Sequence, residues 1–511
     1  MSVRPGRTVS PSRGHWRAAL LALSSLALIL GVVSPTGARP LETSGAGGTV
    51  TPNSDRPNLI LILTDDERWD EMVNMPTVQS DLVAHGIDFT NAFVVNPSCC
   101  PSRTTLLTGE YSHGTDVYTN KPPHGGFQTF EPEENSTLAT WLHDSGYYTG
   151  LIGKYLNGYD VTQVPHVPPG WDDWQALTLG TDEGGNGEYY NYTLSNNGTA
   201  EFHGKSTKNY STNVLGQKAV SFINGAPSNQ PLFLYFAPYA PHTPIKVAKA
   251  YKTSCGSLTW TTPPSFNEAT DTLKTKPKYV RRHDLLTQLQ IDKINKHRLQ
   301  DCQSLLSVDQ WVGSITDALQ STGRLENSMI VFMSDNGYLF GEHRISGKEV
   351  PYDESIRVPM VVRYDALTAP FAGTTDGNLV LNLDIAPTFA DAAAVQPSGG
   401  VTMDGQSMLP LLSDPNAPWR DHFLIEHWGA SDGGVPAYCA VRTADWKYVM
   451  YSTGEQELYY LSGNAADGDG PYELENQVTN LAPLYQSALT NLRSIDKQMC
   501  NPQPPGGLPF P

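Results

Sequence analysis

Short, continuous apolar runs alternate with polar stretches of helical spacing between residues 57 and 395. The runs at Asn58–Thr64, 232–236 and 329–334 are not interrupted by polar residues, which is typical of parallel strands that are buried on both faces. A stretch with helical periodicity, 304–319, lies between two of them. The pattern predicts one large α/β domain over 57–395, built on a doubly wound sheet.

Beyond residue 395 the pattern changes. The segments 423–428 and 439–461 carry closely spaced strand patterns that are separated by glycine-containing turns. They predict a smaller C-terminal α+β domain over 396–501, in which an antiparallel sheet packs beside a terminal helix. The tail 502–511 is too rich in proline and glycine to form regular structure.

The N-terminus has the features of an export signal. Four arginines precede the apolar segment 18–33, and small residues follow it around position 37. We therefore expect a signal peptide over 1–38 and a flexible leader over 39–56. The mature chain is expected to be secreted or otherwise extracytoplasmic, or lysosomal in a eukaryote, without stable membrane insertion once the signal has been removed.

Oxygen-bearing side chains follow two of the predicted strands. Asp65 and Asp66 come directly after the first strand, and Asp335 and Asn336 come directly after the run at 329–334. If the two strands are neighbours in a parallel sheet, all four side chains converge at its carboxyl edge. Oxygen ligands without thiolate or imidazole favour Ca²⁺ or Mg²⁺ over zinc. Either pair alone is also explained as a turn or a helix cap.

The most specific motif of the chain runs from Cys99 to Gly109 and reads C-x-P-S-R-x-x-x-L-T-G. It resembles the active-site signature of the sulfatase family. The resemblance implies an alkaline-phosphatase-like fold and conversion of Cys99 to formylglycine by a formylglycine-generating enzyme. It also implies that a hydroxyl of the hydrated aldehyde attacks sulfur, that Arg103 steadies this group, and that Ca²⁺, rather than Mg²⁺, is the metal. The ligands implied for this ion are Asp65, Asp66, Cys99, Asp335 and Asn336.

Three further positions resemble family residues that contact the sulfate group. They are Lys154 after an apolar strand, His242 in the sequence Pro-His-Thr-Pro, and Lys348 after a glycine. The resemblance implies catalytic and substrate-binding roles for all three, with His242 or Lys348 as the proton donor. His343, in Gly-Glu-His, is a further candidate for substrate binding. A lone lysine is more often a solvated group, and a lone histidine a structural one.

One position departs from the common family pattern and indicates a branch. Many sulfatases carry a histidine two residues after the first lysine, where this chain has Leu156. Together with the pair Cys99 and Cys100, this form resembles the N-acetylglucosamine-6-sulfatase and heparan endosulfatase branch. We therefore expect hydrolysis of sulfate esters on sulfated sugars, with the base for sulfate release left open. The alternatives are a broad arylsulfatase, a phosphoesterase or phosphonate hydrolase of the same fold, and a non-catalytic glycan-binding protein.

The chain contains six cysteines, an even number that becomes odd if Cys99 is converted. We predict one disulfide between Cys255 and Cys302 and another between Cys439 and Cys500, with Cys100 as a buried free thiol. The alternative is that Cys99 and Cys100 are both ordinary thiols.

The formal net charge is −18, and such a field disfavours long polyanions. Nucleic acid is therefore not expected as a partner, whereas a sulfated carbohydrate or an aryl sulfate is expected as the substrate. A basic cluster at 274–282 is interpreted as a solvated loop in preference to a site for an anionic glycan.

Overall fold

The central sheet of the protein contains the continuous apolar runs described above. The computed structural model describes residues 56–179, 188–429, 434–464 and 469–509. The predicted signal peptide, 1–38, lies outside the described residues, as does the predicted leader, 39–56, apart from Arg56. The domain boundaries predicted from the sequence stay predictions.

The strands of the described ranges are β1 (Asn58–Thr64), β2 (Ile87–Phe89), β3 (Ala92–Phe93), β4 (Tyr148–Lys154), β5 (Asp173–Leu177), β6 (Tyr192–Asn196), β7 (Thr199–His203), β8 (Leu232–Ala237), β9 (Ser328–Ser334), β10 (Leu339–Phe340), β11 (Ser346–Gly347), β12 (Met360–Arg363), β13 (Thr374–Asp376), β14 (Val380–Leu381), β15 (His422–His427), β16 (Tyr438–Thr443), β17 (Trp446–Tyr451) and β18 (Gln456–Tyr460).

The α-helices of these ranges are α1 (Cys99–Thr108), α2 (Ser112–Thr115), α3 (Phe127–Phe130), α4 (Leu138–Asp144), α5 (Ser211–Gly225), α6 (Thr270–Leu273), α7 (Lys278–Arg281), α8 (Gln288–Ser321), α9 (Asp353–Ile356), α10 (Asp365–Thr368), α11 (Ile385–Ala392), α12 (Leu409–Ser413) and α13 (Pro483–Met499).

The main sheet has the strand order β13-β2-β12-β9-β1-β8-β4-β5-β6-β7. Its five central strands, from β9 to β5, run parallel. Strand β12 is antiparallel to both neighbours, and β6 and β7 extend the other edge as an antiparallel hairpin. The predicted doubly wound α/β sheet is confirmed as a large mixed sheet with a parallel centre.

The register of β1 and β9 sets the position of the carboxyl edge. Asn58 lies opposite Ser328 and Thr64 lies opposite Ser334. Both strands therefore end at the same level, and the side chains that follow them meet. The condition on which the predicted oxygen cluster depended is fulfilled.

Both faces of the parallel centre are buried. Leu59, Leu61 and Leu63 share one apolar core with side chains of α1, α4 and α11. Ile60 and Ile62 share a second core with side chains of α5 and α8. Successive strand residues point to opposite faces, so two covered faces require the continuous apolar runs that the sequence shows.

Helix α8 begins well before the predicted start at residue 304. Thr287 caps it, because its side chain accepts a hydrogen bond from the Gln290 amide and the Gln290 side chain accepts one from the Thr287 amide. The first turns are mostly exposed, so they lack the apolar periodicity from which the helix was predicted. The prediction was too short for this reason.

The C-terminal part is the predicted antiparallel sheet, with the order β15-β16-β17-β18 and with α13 against it. It shares the core of the main sheet, and the rings of Phe93 and Phe423 lie 5.1 Å apart. The buried Lys447 of β17 forms an ion pair of 2.5 Å with Asp353, which lies shortly after Lys348 in the chain. The small sheet therefore anchors the segment that carries this lysine.

Both predicted disulfides are confirmed, since Cys255 is bonded to Cys302 and Cys439 to Cys500. Cys99 and Cys100 are buried free thiols. Within the part of the chain that the structure describes, none of the helices combines the length and the apolar composition needed to cross a bilayer.

Candidate active site

The oxygen cluster forms where β1 and β9 end. The Asp66 amide donates a hydrogen bond of 3.3 Å to Oδ1 of Asp335, and Nδ2 of Asn336 donates one of 2.7 Å to Oδ1 of Asp66. Asp66 has a φ of 74°, in the left-handed region. In a regular strand, the side chains of two successive residues point to opposite faces. The left-handed conformation of Asp66 breaks this alternation, and the carboxylates of Asp65 and Asp66 belong to one cluster of closely spaced ligand atoms.

Cys99 is the first residue of α1, after the N-cap Ser98, and it is 1% exposed. Its Sγ atom lies 3.5 Å from Oδ1 of Asp65. Arg103, one turn further along α1, donates from Nε to Oδ2 of Asp335 at 2.8 Å. The predicted nucleophile, the predicted arginine and the oxygen cluster therefore form one buried site. The N-terminus of a helix also favours an anion.

Two lysines from different segments of the chain reach this site. Nζ of Lys154, the last residue of β4, donates to Oδ2 of Asp65 at 2.5 Å. Nζ of Lys348 lies 2.8 Å from Sγ of Cys99 and 3.2 Å from Oδ1 of Asn336, and it also donates to Oδ1 of Asp66. Both ammonium groups lie where a sulfate next to Cys99 could accept hydrogen bonds from them.

The position of Lys154 depends on the glycine before it. A Cβ atom at Gly153 would overlap the carbonyl oxygen of Ala237 on the neighbouring strand β8, and Gly153 has a φ of 132°. Only glycine fits both the space and the backbone conformation.

His242, which follows β8, is the third residue that was predicted to contact the sulfate group. Its Nε2 atom lies 3.7 Å from Oδ2 of Asp66, and its Nδ1 atom lies 2.5 Å from the carbonyl oxygen of Thr243. Ligand atoms of Asp65, Asp66, Cys99 and His242 all lie within 4.8 Å of one another. This group is a candidate metal site, and the predicted substrate histidine, His242, is one of its members.

The charges of the site stabilise one another. Burial opposes ionisation of Asp65, but Lys154, His242 and Arg103 outweigh it and lower the pKa of this carboxyl. Burial likewise opposes the charged form of Lys348, and Asp66 outweighs it and raises the pKa of this lysine. Burial and then Asp65 raise the pKa of the Cys99 thiol well above its ordinary range. Without a metal ion, these surroundings favour the protonated thiol of an unmodified Cys99 over the thiolate.

The structure places His343 in a different environment. It is fully buried, and its Nδ1 atom lies 2.7 Å from Oε2 of Glu268. Its ring lies 4.1 Å from that of Tyr352. Burial and the charge of Lys276 lower the pKa of His343 to about 4, so it is neutral at neutral pH. Its role in substrate binding stays a prediction.

Three residues near the site were not found from the sequence. The ring of Tyr239 lies 4.7 Å from that of His242 and 5.6 Å from Nζ of Lys154. Burial and the charge of Asp66 raise the pKa of Tyr338 to about 12. His297 of α8 lies against Tyr338, with ring centroids 5.1 Å apart. Tyr239 and Tyr338 follow predicted strands closely and could have been found by that position, whereas nothing in the sequence marks His297.

The basic cluster at 274–282 does not form one surface. Lys276 is buried and donates to the hydroxyl of Tyr459 at 3.1 Å. The exposed Lys274 lies 3.4 Å from Asp271, and Arg281 lies 3.4 Å from Glu455. The exposed pairs of Lys274 and Arg281 agree with the interpretation of the cluster as a solvated loop, whereas the buried Lys276 departs from it.

Comparison with known proteins decides the family. The family model described as Sulfatase matches residues 57–395, which is most of the chain. The chain belongs to the sulfatase family, a family of sulfuric ester hydrolases. A second model, described as N-sulphoglucosamine sulphohydrolase, C-terminal, matches residues 341–495.

Relatives of this sulfatase-family chain lie in the predicted branch. It is 33% identical to the N-acetylglucosamine-6-sulfatase of Homo sapiens over 88% of its length and 86% of that protein. It is 34% identical to the Extracellular sulfatase SULF-1 homolog of Drosophila melanogaster over 73% of its length. The alignment spans only 33% of that longer relative.

The fold is shared with a solved protein in complex with its substrate, D-glucosamine-2-N,6-O-disulfate. The TM-score is 0.71 at 24% identity, over 88% of this chain and 99% of the other.

Proposed function

We propose that this member of the sulfatase family hydrolyses sulfate esters of sulfated sugars, with 6-O-sulfated N-acetylglucosamine units as the substrate class. The observation that carries the proposal is the convergence of Lys154, Lys348 and His242 around Cys99 and the oxygen cluster. The similarity to human N-acetylglucosamine-6-sulfatase supports the sugar class.

The donor set fits a hard divalent cation. Three carboxylates and one amide oxygen meet at the ends of β1 and β9, and in the structure two lysine ammonium groups compensate their charge. Asp65, Asp66, Asp335 and Asn336 would hold Ca²⁺ together with the modified Cys99. The ion would polarise the sulfate ester as a Lewis acid.

The nucleophile of the proposal is formylglycine made from Cys99 by a formylglycine-generating enzyme. When hydrated, this aldehyde supplies one hydroxyl for attack on sulfur and a second whose deprotonation releases inorganic sulfate. The residues next to position 99 are held by hydrogen bonds, since the amide of Cys100 donates to Oδ1 of Asn120 at 2.8 Å and the hydroxyl of Ser102 accepts from Asn382 at 2.9 Å.

The remaining steps are assigned to residues of the chain. Lys154 and Lys348 stabilise negative charge on the sulfuryl oxygens, and Arg103 steadies the group at position 99. A carbonyl oxygen only accepts hydrogen bonds, so Nδ1 of His242 carries the proton that it donates to Thr243. Its Nε2 atom lies 3.7 Å from Oδ2 of Asp66, and in the protonated ring this nitrogen can donate to the leaving alcohol. Lys348 is the second candidate donor.

Sulfate release must proceed without the histidine that many relatives carry, since Leu156 is fully buried and apolar. The proposal also includes export of the chain through the predicted signal peptide, which agrees with the disulfides.

The test is release of inorganic sulfate from N-acetylglucosamine-6-sulfate, measured beside an aryl sulfate and the matching phosphate ester. We expect sulfate release by the wild type and by Cys100→Ala, and none by Cys99→Ala. Turnover of the aryl sulfate alone would indicate a broad arylsulfatase, and a clear preference for phosphate would indicate a phosphoesterase. Binding of the sugar without turnover by any form would indicate a glycan-binding protein.

A further inference from the structure

A cavity with a volume of about 570 Å³ lies beside the active site. Lys348 lines it, and this lysine also touches Cys99. The other walls come from the start of α8, from the segment before it, from residues 344–350 around this lysine and from Val435. Lys348 therefore joins the position of Cys99 to the wall of this cavity.

Part of the lining is apolar and suits the face of a sugar ring. Leu286, Ile294 and Val435 contribute to it, and Ile294 is buried.

The charged part of the lining is mainly positive, in a chain whose net charge is −18. Lys293 and Arg344 lie in the wall beside Lys348. Among the described residues that line the cavity, Glu349 is the one carboxylate, and it accepts a hydrogen bond of 3.2 Å from Ser98.

The charge of Arg344 is held in place but not neutralised. Its guanidinium donates to the carbonyl oxygens of Glu268 and His283 and to the hydroxyl of Thr270, at 2.8, 3.0 and 3.0 Å. All three acceptors are uncharged. Arg344 is 7% exposed, and in the described part of the chain it forms no ion pair with a carboxylate. A buried cation of this kind favours an anion in the cavity that it lines.

Lys293 lies on the exposed first part of α8 and, among the described residues, has no carboxylate within ion-pair distance. It can therefore move to meet a ligand without first breaking an internal contact. Lys296, one turn further along the same helix, is equally exposed and does not line the cavity.

We infer that this cavity is a subsite for a second negative group of the substrate, held by Lys293 and Arg344 while the scissile sulfate lies at Cys99. The inference rests on the proposed function, because it assumes a sulfated sugar at that site. The second group is a sulfate or a carboxylate on the same sugar or on its neighbour. The natural substrate then carries at least two negative charges.

The test uses full-length Cys99→Ala, which cannot turn over the substrate, and measures dissociation constants by calorimetry. The first pair of probes is glucosamine-2-N,6-O-disulfate and N-acetylglucosamine-6-sulfate. The second pair is a disaccharide of a uronic acid and N-acetylglucosamine-6-sulfate, with and without reduction of the carboxylate. We expect the added sulfate or the added carboxylate to tighten binding about tenfold, which is the effect of one charge-assisted hydrogen bond.

In this background, Lys293→Glu should reduce that gain to about twofold or less, whereas the matched control Lys296→Glu should retain it. The pair of probes that shows the gain identifies the group as sulfate or carboxylate. Equal affinities within both pairs, or a gain that survives Lys293→Glu, would overturn the inference.

Sulfate release by the wild type, measured in parallel, tests the proposed function separately. If the wild type releases sulfate but the added anions do not tighten binding, only the subsite is overturned. Anion-dependent binding without release supports the subsite and overturns the catalytic proposal. If neither binding nor sulfate release is observed, both the subsite and the catalytic proposal are overturned.

Discussion

The Nζ atom of Lys348 lies 2.8 Å from the Sγ atom of Cys99. The same ammonium group contacts Asn336 and Asp66, so one lysine joins the position of the nucleophile to the oxygen cluster. In the proposed mechanism its charge lies where negative charge grows on the sulfuryl oxygens during attack, and such preorganised charge contributes strongly to catalysis.

Replacing Lys348 by methionine should lower kcat about 10²- to 10³-fold, because one preorganised donor to the transition state is lost. Steady-state sulfate release measures this effect. Lys296→Met is the matched control, since this lysine is exposed on α8 and does not line the cavity, and it should leave kcat within about twofold. A Lys348→Met enzyme with wild-type kcat would remove the lysine from the mechanism.

Added Ca²⁺ should raise the midpoint of thermal unfolding, because it binds the folded oxygen cluster and not the unfolded chain. At a free concentration roughly a hundred times Kd, the stabilisation is about 2.7 kcal/mol. Asp335→Asn removes one carboxylate of the cluster and should abolish most of the shift. Asp317→Asn, an exposed change on α8, should preserve it. If Asp335→Asn shows the full shift, Ca²⁺ binds elsewhere.

Gly153→Ala should lower both stability and activity. The new Cβ would overlap the carbonyl oxygen of Ala237, so β4 would have to move and would carry Lys154 away from Asp65. Thermal unfolding and kcat measure the two effects. Gly256→Ala is the control, since nothing lies within 4 Å of its Cβ, and it should behave as wild type. An active, equally stable Gly153→Ala protein would show that the end of β4 tolerates displacement.

The free energy of unfolding should decrease as the pH is lowered, because His343 has a lowered pKa in the folded state. Burial, followed by the charge of Lys276, lowers the pKa of this histidine in the folded state to about 4, from an ordinary value of 6.5. Between these values the unfolded chain binds the proton and the folded chain does not, so the free energy of unfolding decreases as the pH is lowered. From pH 7 to pH 5 the loss at this residue is about 2 kcal/mol.

Denaturant unfolding at the two pH values measures this loss. His343→Gln retains an N–H donor for Glu268 but cannot be protonated, so it should lose less stability than the wild type over the same range. His85→Gln, at an exposed histidine, should follow the wild type. Equal pH dependence of His343→Gln and the wild type would contradict the assignment.

The sequence predicted those parts of the fold and site that depend on local pattern. The apolar run at 58–64 became β1 without change, because a strand covered on both faces needs apolar residues at every position. Asp65, Asp66, Asp335 and Asn336 could be placed together because parallel strands end at a common edge.

The other features depend on contacts between segments that lie far apart in the chain. His297 is one polar residue among many on α8, and only the packing of that helix brings it to Tyr338. Likewise, the two carbonyl oxygens and the hydroxyl that hold Arg344 come from three separate positions. The early start of α8 was missed because exposed turns carry no apolar period.

The mass of the peptide that contains Cys99, from protein purified from its natural source, tests the central claim most directly. The proposed mechanism takes its nucleophile from the hydrated aldehyde, so it requires the converted residue at position 99. We predict the mass of formylglycine at position 99 and of an unmodified cysteine at position 100. An intact cysteine at position 99 in protein that releases sulfate would contradict the mechanism.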